Sequence, residues 1–191
     1  MTSLEEVNRK WSQSLSEKWN SPLVFGEGPV HARVMLIGEA PGEQEELQRR
    51  PFVGKAGKNL EAFLNGIQLG RDEIYISNTV KIRPFKVGPS GRKSNRSPTR
   101  EETEAFLPWL REEIDAVSPE VIVTLGNTPL QALLGRTCTV GALHGRLSRY
   151  GEKPLFALYH PASIIYNPSL KDTYWDDIHA LSQLLRKEVL A

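Results

Sequence analysis

The sequence predicts an α/β fold, a three-layer α/β/α sandwich around a central, mainly parallel four-stranded sheet. Two observations predict it. Four short runs, Val34-Met-Leu-Ile37, Ile74-Tyr-Ile-Ser77, Val121-Ile-Val-Thr-Leu125 and Leu155-Phe-Ala-Leu-Tyr159, have the near-continuous hydrophobicity of strands covered on both faces. Segments of helical character separate them, and parallel strands need such long, usually helical, crossovers.

In chain order, Leu4, Val7, Trp11, Leu15 and Trp19 recur at steps of three and four, which predicts an amphipathic helix over residues 2–19. The first strand ends at the turn residue Gly38. Helices are expected at residues 58–67, 99–117 and 128–134, each between two of the strands, and a last one at 174–189. No internal repeat, low-complexity tract or long linker interrupts the chain, so residues 1–191 are expected to form one domain. A chain of 191 residues buries about 70% of its unfolded surface, enough to fold without disulfide or metal staples.

Composition narrows the classes further. With 39% hydrophobic and 25% charged residues the chain is neither disordered nor fibrous. Its one cysteine, Cys138, forms no internal disulfide and cannot by itself hold zinc or an iron–sulfur cluster, so no cofactor is expected. No apolar run reaches 18 residues and the N-terminus lacks the pattern of a signal peptide, so a cytoplasmic protein is expected. A net charge of +1 is uninformative, but its distribution is not. Residues 81–100 carry seven basic side chains (Lys81, Arg83, Lys86, Arg92, Lys93, Arg96 and Arg100) and no acidic one, among glycines, serines and prolines. A flexible basic loop of this kind fits either phosphate contact with counterion release or a solvated surface.

In doubly covered sheets, ligands gather beyond the carboxyl ends of the strands. Here those ends read Gly38-Glu-Ala-Pro-Gly42, Asn78, Gly126-Asn127 and His160-Pro-Ala-Ser163. The first lacks the spacing and lysine of a phosphate loop, and presents a tight turn with one carboxylate, Glu39. Phe52, between turn residues, is either a loop anchor or a platform for a flat ligand. Asn78 offers an amide donor and acceptor to the edge of a base, or caps a turn. His160 offers an N–H to developing negative charge, or serves structure alone.

Taken in order, Gly38-Glu-Ala-Pro-Gly-Glu-Gln-Glu45, Arg50-Pro-Phe-Val-Gly-Lys-Ala-Gly57, Asn78-Thr-Val-Lys-Ile-Arg-Pro84, Asn95-Arg-Ser-Pro98, Val121-Ile-Val-Thr-Leu-Gly126 and Tyr159-His-Pro-Ala162 resemble the uracil-DNA glycosylase superfamily, nearest to its family 4 type. The resemblance runs over about residues 24–185. It implies that the Gly38 loop, with Glu39 and Ala40, lines a flipped-base pocket, that Glu39 acts in catalysis by positioning water or stabilising charge, and that Phe52 stacks on uracil. It also implies that Asn78 pairs with uracil's polar edge and that His160 hydrogen-bonds uracil O2. DNA contacts are expected from Lys81, Arg83, Arg92, Lys93 and Arg96. Ser163 is expected near a phosphate, with Ile164 in a wedge segment; Ile164 and Ile165 fit a wedge or the core equally well.

One departure is large. Family 4 members usually hold a 4Fe–4S cluster on four cysteines, and here two of those positions read Ile82 and Phe106 while an N-terminal pair is absent. Ile82 and Phe106, helped by Trp11 and Trp19, are expected to fill the cluster's volume. The leading expectation is a monofunctional, metal-independent, monomeric glycosylase that excises uracil from DNA. The pocket motifs carry no lysine except Lys55 and Lys58, so a Schiff-base lyase step has no support. Open alternatives are a glycosylase for hypoxanthine or xanthine, a non-catalytic nucleic-acid-binding protein, and a hydrolase of free nucleotides.

Overall fold

The computed structural model describes residues 2–19 and 21–187; residues 188 and 189 of the expected last helix lie outside them. Helix α1 (Leu4–Trp19) leads to strand β1 (Val34–Gly38), the short helix α2 (Glu43–Gln48), helix α3 (Lys55–Ile67) and strand β2 (Ile74–Asn78). A hairpin of β3 (Phe85–Val87) and β4 (Lys93–Asn95) precedes α4 (Arg100–Val117), β5 (Val121–Leu125) and α5 (Asn127–Leu134). The chain ends with α6 (Val140–Leu143), β6 (Leu147–Tyr150), β7 (Lys153–Leu158), α7 (Pro161–Tyr166) and α8 (Lys171–Lys187).

The main sheet has the order β2-β1-β5-β7-β6, with every pair parallel except β6–β7. Both faces are covered, which is why the inner strands read as unbroken apolar runs. In β1, Val34 and Leu36 join Leu60, Phe63 and Ile178 in the layer of α3 and α8. Met35 and Ile37 point the other way, to Leu110, Ile114 and Leu130 in the layer of α4 and α5. The sandwich is the expected one, but its sheet has five strands rather than four. The extra strand, β6, is an edge strand whose side chains are exposed or half-buried, so it lacks the hydrophobic run that marks the others.

The basic segment is also more structured than expected. Residues 85–95 form an antiparallel hairpin, and Thr99 begins α4 as an N-cap that accepts from the Glu102 N–H at 3.1 Å.

A third apolar cluster lies outside the sandwich, where α1 packs on α4. Val7, Leu15, Leu23, Val80, Ile82, Phe106 and Trp109 are buried together, and Trp11 and Trp19 pack against them. Ile82 is 3% exposed and Phe106 fully buried, so the two positions matched to cluster cysteines carry hydrocarbon in a filled core. With no thiolate there, and no grouping of three or more His, Cys, Asp or Glu suited to a metal among the described residues, this chain does not fit an iron–sulfur cluster. Side-chain packing supplies the cohesion that joins α1 to the sandwich. Phe106 sits at its centre, with Trp109 at 6.1 Å and Trp19 at 6.2 Å between ring centroids. Phe106→Ala is expected to lower stability by about 3–5 kcal/mol, read as a shift in the urea midpoint at constant m-value. An unchanged midpoint would show that α1 is held by something else.

Candidate active site

Parallel strands deliver their carboxyl ends to one edge, and strand order reverses there between β1 and β5. A cavity of about 470 Å³ opens at that edge, and Glu39, Ala40, Phe52, Asn78 and His160 all line it. The five pocket residues picked out in the sequence are therefore brought together. Gly38 makes this possible. A Cβ at Gly38 would lie 2.5 Å from Asn78 Oδ1 and 2.6 Å from Phe52 Cζ, so only glycine lets these two side chains converge over the end of β1.

Phe52 is buried and has φ +52°, a left-handed conformation that costs a non-glycine residue on the order of 1 kcal/mol. Its neighbours hold it there. The carboxylate of Glu45 accepts from the N–H groups of Val53 (3.0 Å), Gly54 (2.7 Å) and Gly42 (3.1 Å). On the other side the Arg71 guanidinium donates to the carbonyls of Pro51 (2.6 Å) and Phe52 (3.0 Å). Hydrogen bonds with an ionised donor or acceptor are roughly twice as strong as neutral ones. Glu45 and Arg71 were not singled out in the sequence. Glu45 carried a usable signal, because Gly42-x-x-Glu45 has the spacing at which a helix's third residue bonds back to its cap.

His160 caps α7, and its Nδ1 accepts from the Ala162 N–H at 3.1 Å. In the neutral ring this leaves the proton on Nε2. Burial pushes the imidazole below its ordinary pKa, and the nearby Glu39 carboxylate partly restores it. Gly126, at φ +84°, turns β5 into α5 close against the His160 Cβ. From the first turn of α5, Thr128 Oγ1 donates to Glu39 Oε2 at 2.8 Å.

Behind Asn78 is a buried ion pair. The Lys81 ammonium donates to Glu113 Oε2 at 2.6 Å, to the Asn78 carbonyl at 2.9 Å and to Ser77 Oγ. Glu113 also accepts from Tyr75 (3.0 Å) and Ser77 (2.9 Å). Burial lowers the Lys81 pKa, and Glu113 opposes that shift.

This overturns part of the expected DNA surface. Lys81 is 0% exposed and reaches no solvent. Arg83 is buried too, donating to Asn95 at 2.8 Å and paired with Glu43 and Glu46. Arg96 is half-buried in a bidentate pair with Glu102, both bonds 2.7 Å. The acidic partners of Lys81 and Arg83 are far away in sequence and that of Arg96 lies just past the basic run, so a charge run alone cannot tell these residues from free ones. Arg92 and Lys93 are exposed on the hairpin with Lys86, and Lys93 lies 4.2 Å from the Phe85 ring centre. Lys58 is exposed, and the Lys55 side chain lies outside the described residues. Ser163 is half-buried, and Ile164 packs against the α3–α8 core, so it is not the outward apolar residue of its helix. Ile165 and Tyr166 are, at 69% and 88% exposure.

Fold and cavity together define an α/β sandwich protein whose strand ends enclose a cavity lined by an aromatic ring, an amide, a carboxylate and an imidazole. A family model described as the uracil DNA glycosylase superfamily matches residues 25–183, and the chain belongs to that family. Three similar proteins carry the name type-4 uracil-DNA glycosylase. The one from Archaeoglobus fulgidus is 34% identical over 98% of this chain and 96% of its own. Those from Saccharolobus solfataricus and Sulfurisphaera tokodaii are 35% and 36% identical, covering 93% and 84% of this chain and 82% and 74% of theirs.

Removing one partner of a buried ion pair leaves an uncompensated charge. Lys81→Met is expected to lose about 3–5 kcal/mol in urea unfolding, and Lys81→Met/Glu113→Gln to recover much of it because no lone charge remains. Equal losses in the single and double variants would place the damage in packing.

Proposed function

We propose that this protein is a monofunctional DNA glycosylase that flips uracil out of DNA and hydrolyses its N-glycosidic bond, initiating base excision repair. The observation that carries the proposal is the pairing, in one cavity, of a neutral histidine donor with a carboxylate across strand ends β7 and β1. Family membership and the type-4 relatives support the same substrate. As the bond from C1′ to uracil N1 breaks, its electron pair goes to the base and an oxocarbenium-like sugar remains. Water then adds hydroxide to C1′, and its proton is accounted for on the released uracil.

In this mechanism Nε2–H of His160 donates to uracil O2 as negative charge develops, and Glu39 faces the cationic sugar and the water. Preorganised groups of this kind act on the transition state rather than on the bound base. Phe52 stacks on the ring, Ala40 lies beside it, and the Asn78 amide reads its edge. Extruding the base costs a few kcal/mol, which these contacts offset in part. On the outside, Arg92 and Lys93 face phosphates, Ser163 lies near the backbone, and Ile165 with Tyr166 replaces Ile164 as the wedge proposed to enter the stack. The proposed enzyme is a single domain over residues 1–191, monomeric and cytoplasmic. No described helix is long and apolar enough to cross a membrane.

The test is strand cleavage by hot alkali, in EDTA, on oligonucleotides with one uracil, hypoxanthine or xanthine. Cleavage at uracil is expected, falling about 10²–10⁴-fold in His160→Ala and in Glu39→Ala. Cleavage confined to hypoxanthine or xanthine would keep the enzyme class and replace the substrate. Salt-sensitive binding without cleavage would make this a binding protein.

The histidine's protonation has a direction. His160 is neutral above its pKa, which lies below the ordinary value of about 6.5, and acidification must break the Nδ1 bond to Ala162. The excision rate is expected to fall as pH drops through that depressed pKa. Nitrogen NMR should find the proton on Nε2 at neutral pH, with a lower pKa still in Glu39→Ala, where the carboxylate's support is gone. A His160 titrating above 6.5 would contradict this.

A further inference from the structure

We propose that Thr128 is the positioning residue for Glu39, fixing the rotamer and the free oxygen of the carboxylate. The inference rests on the reading of Glu39 as the sugar-side group. Three observations lead to it. Glu39 is the first residue beyond β1, and Thr128 lies in the first turn after β5, the parallel neighbour of β1. Their side chains close a bond across the reversal in strand order, with Thr128 Oγ1 donating to Glu39 Oε2 at 2.8 Å. Among the described residues, this is the hydrogen bond that the Glu39 carboxylate makes.

The donor is held more firmly than the acceptor. A glutamate has three rotatable side-chain torsions, whereas a threonine in a helix has a restricted χ1. The turn carrying Thr128 is pinned on both sides: the Gly126 N–H donates to the Leu158 carbonyl at 2.8 Å, and Asn127 Oδ1 accepts from the Val140 N–H at 2.7 Å. Pro129, which is buried, follows directly. A fixed hydroxyl therefore selects one orientation of a mobile carboxylate. With Oε2 engaged, Oε1 is the oxygen left to meet water or the sugar. The same turn runs beside His160, since a Cβ at Gly126 would lie 3.4 Å from the His160 Cβ, so one segment neighbours the groups on either side of the scissile bond.

The experiment is single-turnover excision on a uracil oligonucleotide by Thr128→Val and Thr128→Ser, each made in wild-type and Glu39→Ala backgrounds. Thr128→Val removes the hydroxyl at nearly constant volume and is expected to slow excision about 10- to 100-fold, with KM within about threefold, as for loss of one hydrogen bond to a charged group. Thr128→Ser is expected to restore most of the rate. In the Glu39→Ala background, Thr128→Val is expected to cost nothing more, because there is no carboxylate to orient. The same loss in both backgrounds, or none in the wild-type background, overturns the proposal while leaving Glu39 catalytic. A Glu39→Ala enzyme at full rate overturns the sugar-side reading itself and the proposal with it. A fall in melting temperature that tracks the rate in both Thr128 variants assigns the residue to folding and also overturns it.

Discussion

A buried ammonium with no water to solvate it must spend every N–H on protein, and Lys81 does so at the point where three parts of the molecule meet. Its partners belong to β2 and α4, its backbone carbonyl accepts from Val24 at 2.7 Å, and its charge lies 5.8 Å from the ring centre of Trp109 in the third cluster. Sheet, outer layer and N-terminal segment are thus tied to a single charge. Asn78 occupies the end of β2 beside it, so the orientation of a pocket residue depends on electrostatics well behind the pocket wall.

The sequence was most legible where burial is two-sided. The strands β1, β2, β5 and β7 and the five longer helices follow from hydrophobic runs and periodicity, with ends displaced by a few residues. The edge strand β6 escaped because half its surface faces water, and the six-residue α7 because a His-Pro turn masks a helix start. At the site, Glu39, Phe52, Asn78 and His160 were visible as strand-end or turn residues. Their supports were not. Arg71 reaches the Phe52 carbonyl across 19 positions and Thr128 reaches Glu39 across 89, and no local pattern encodes such contacts. The same blindness made Lys81 and Arg83 look like free cations, and Arg96 did so because Glu102 lies six positions on, just past the basic run.

The third cluster shows how one fold tolerates two ways of holding its periphery. A metal cluster joins segments through a few strong bonds, whereas Ile82, Phe106, Trp109 and the face of α1 join them through many weak contacts. The apolar version needs no thiolates and no cofactor assembly, but it must be filled closely, because cavities in such a core are costly. The pocket sits at the other side of Ala40, which packs against this cluster while lining the cavity, so the packing of α1 and the shape of the pocket share a wall.

Helix α7 begins at a side chain in the pocket and ends at one in solvent. With a rise of 1.5 Å per residue, its six residues make a strut about 9 Å long. The His160 ring itself caps the strut, and Ile164 packs its middle against the core, so the backbone from the pocket to Tyr166 is held as one piece. The backbone at Tyr166 is thereby set about 9 Å along the helix axis from the pocket, while the exposed Tyr166 ring keeps its own rotamer freedom.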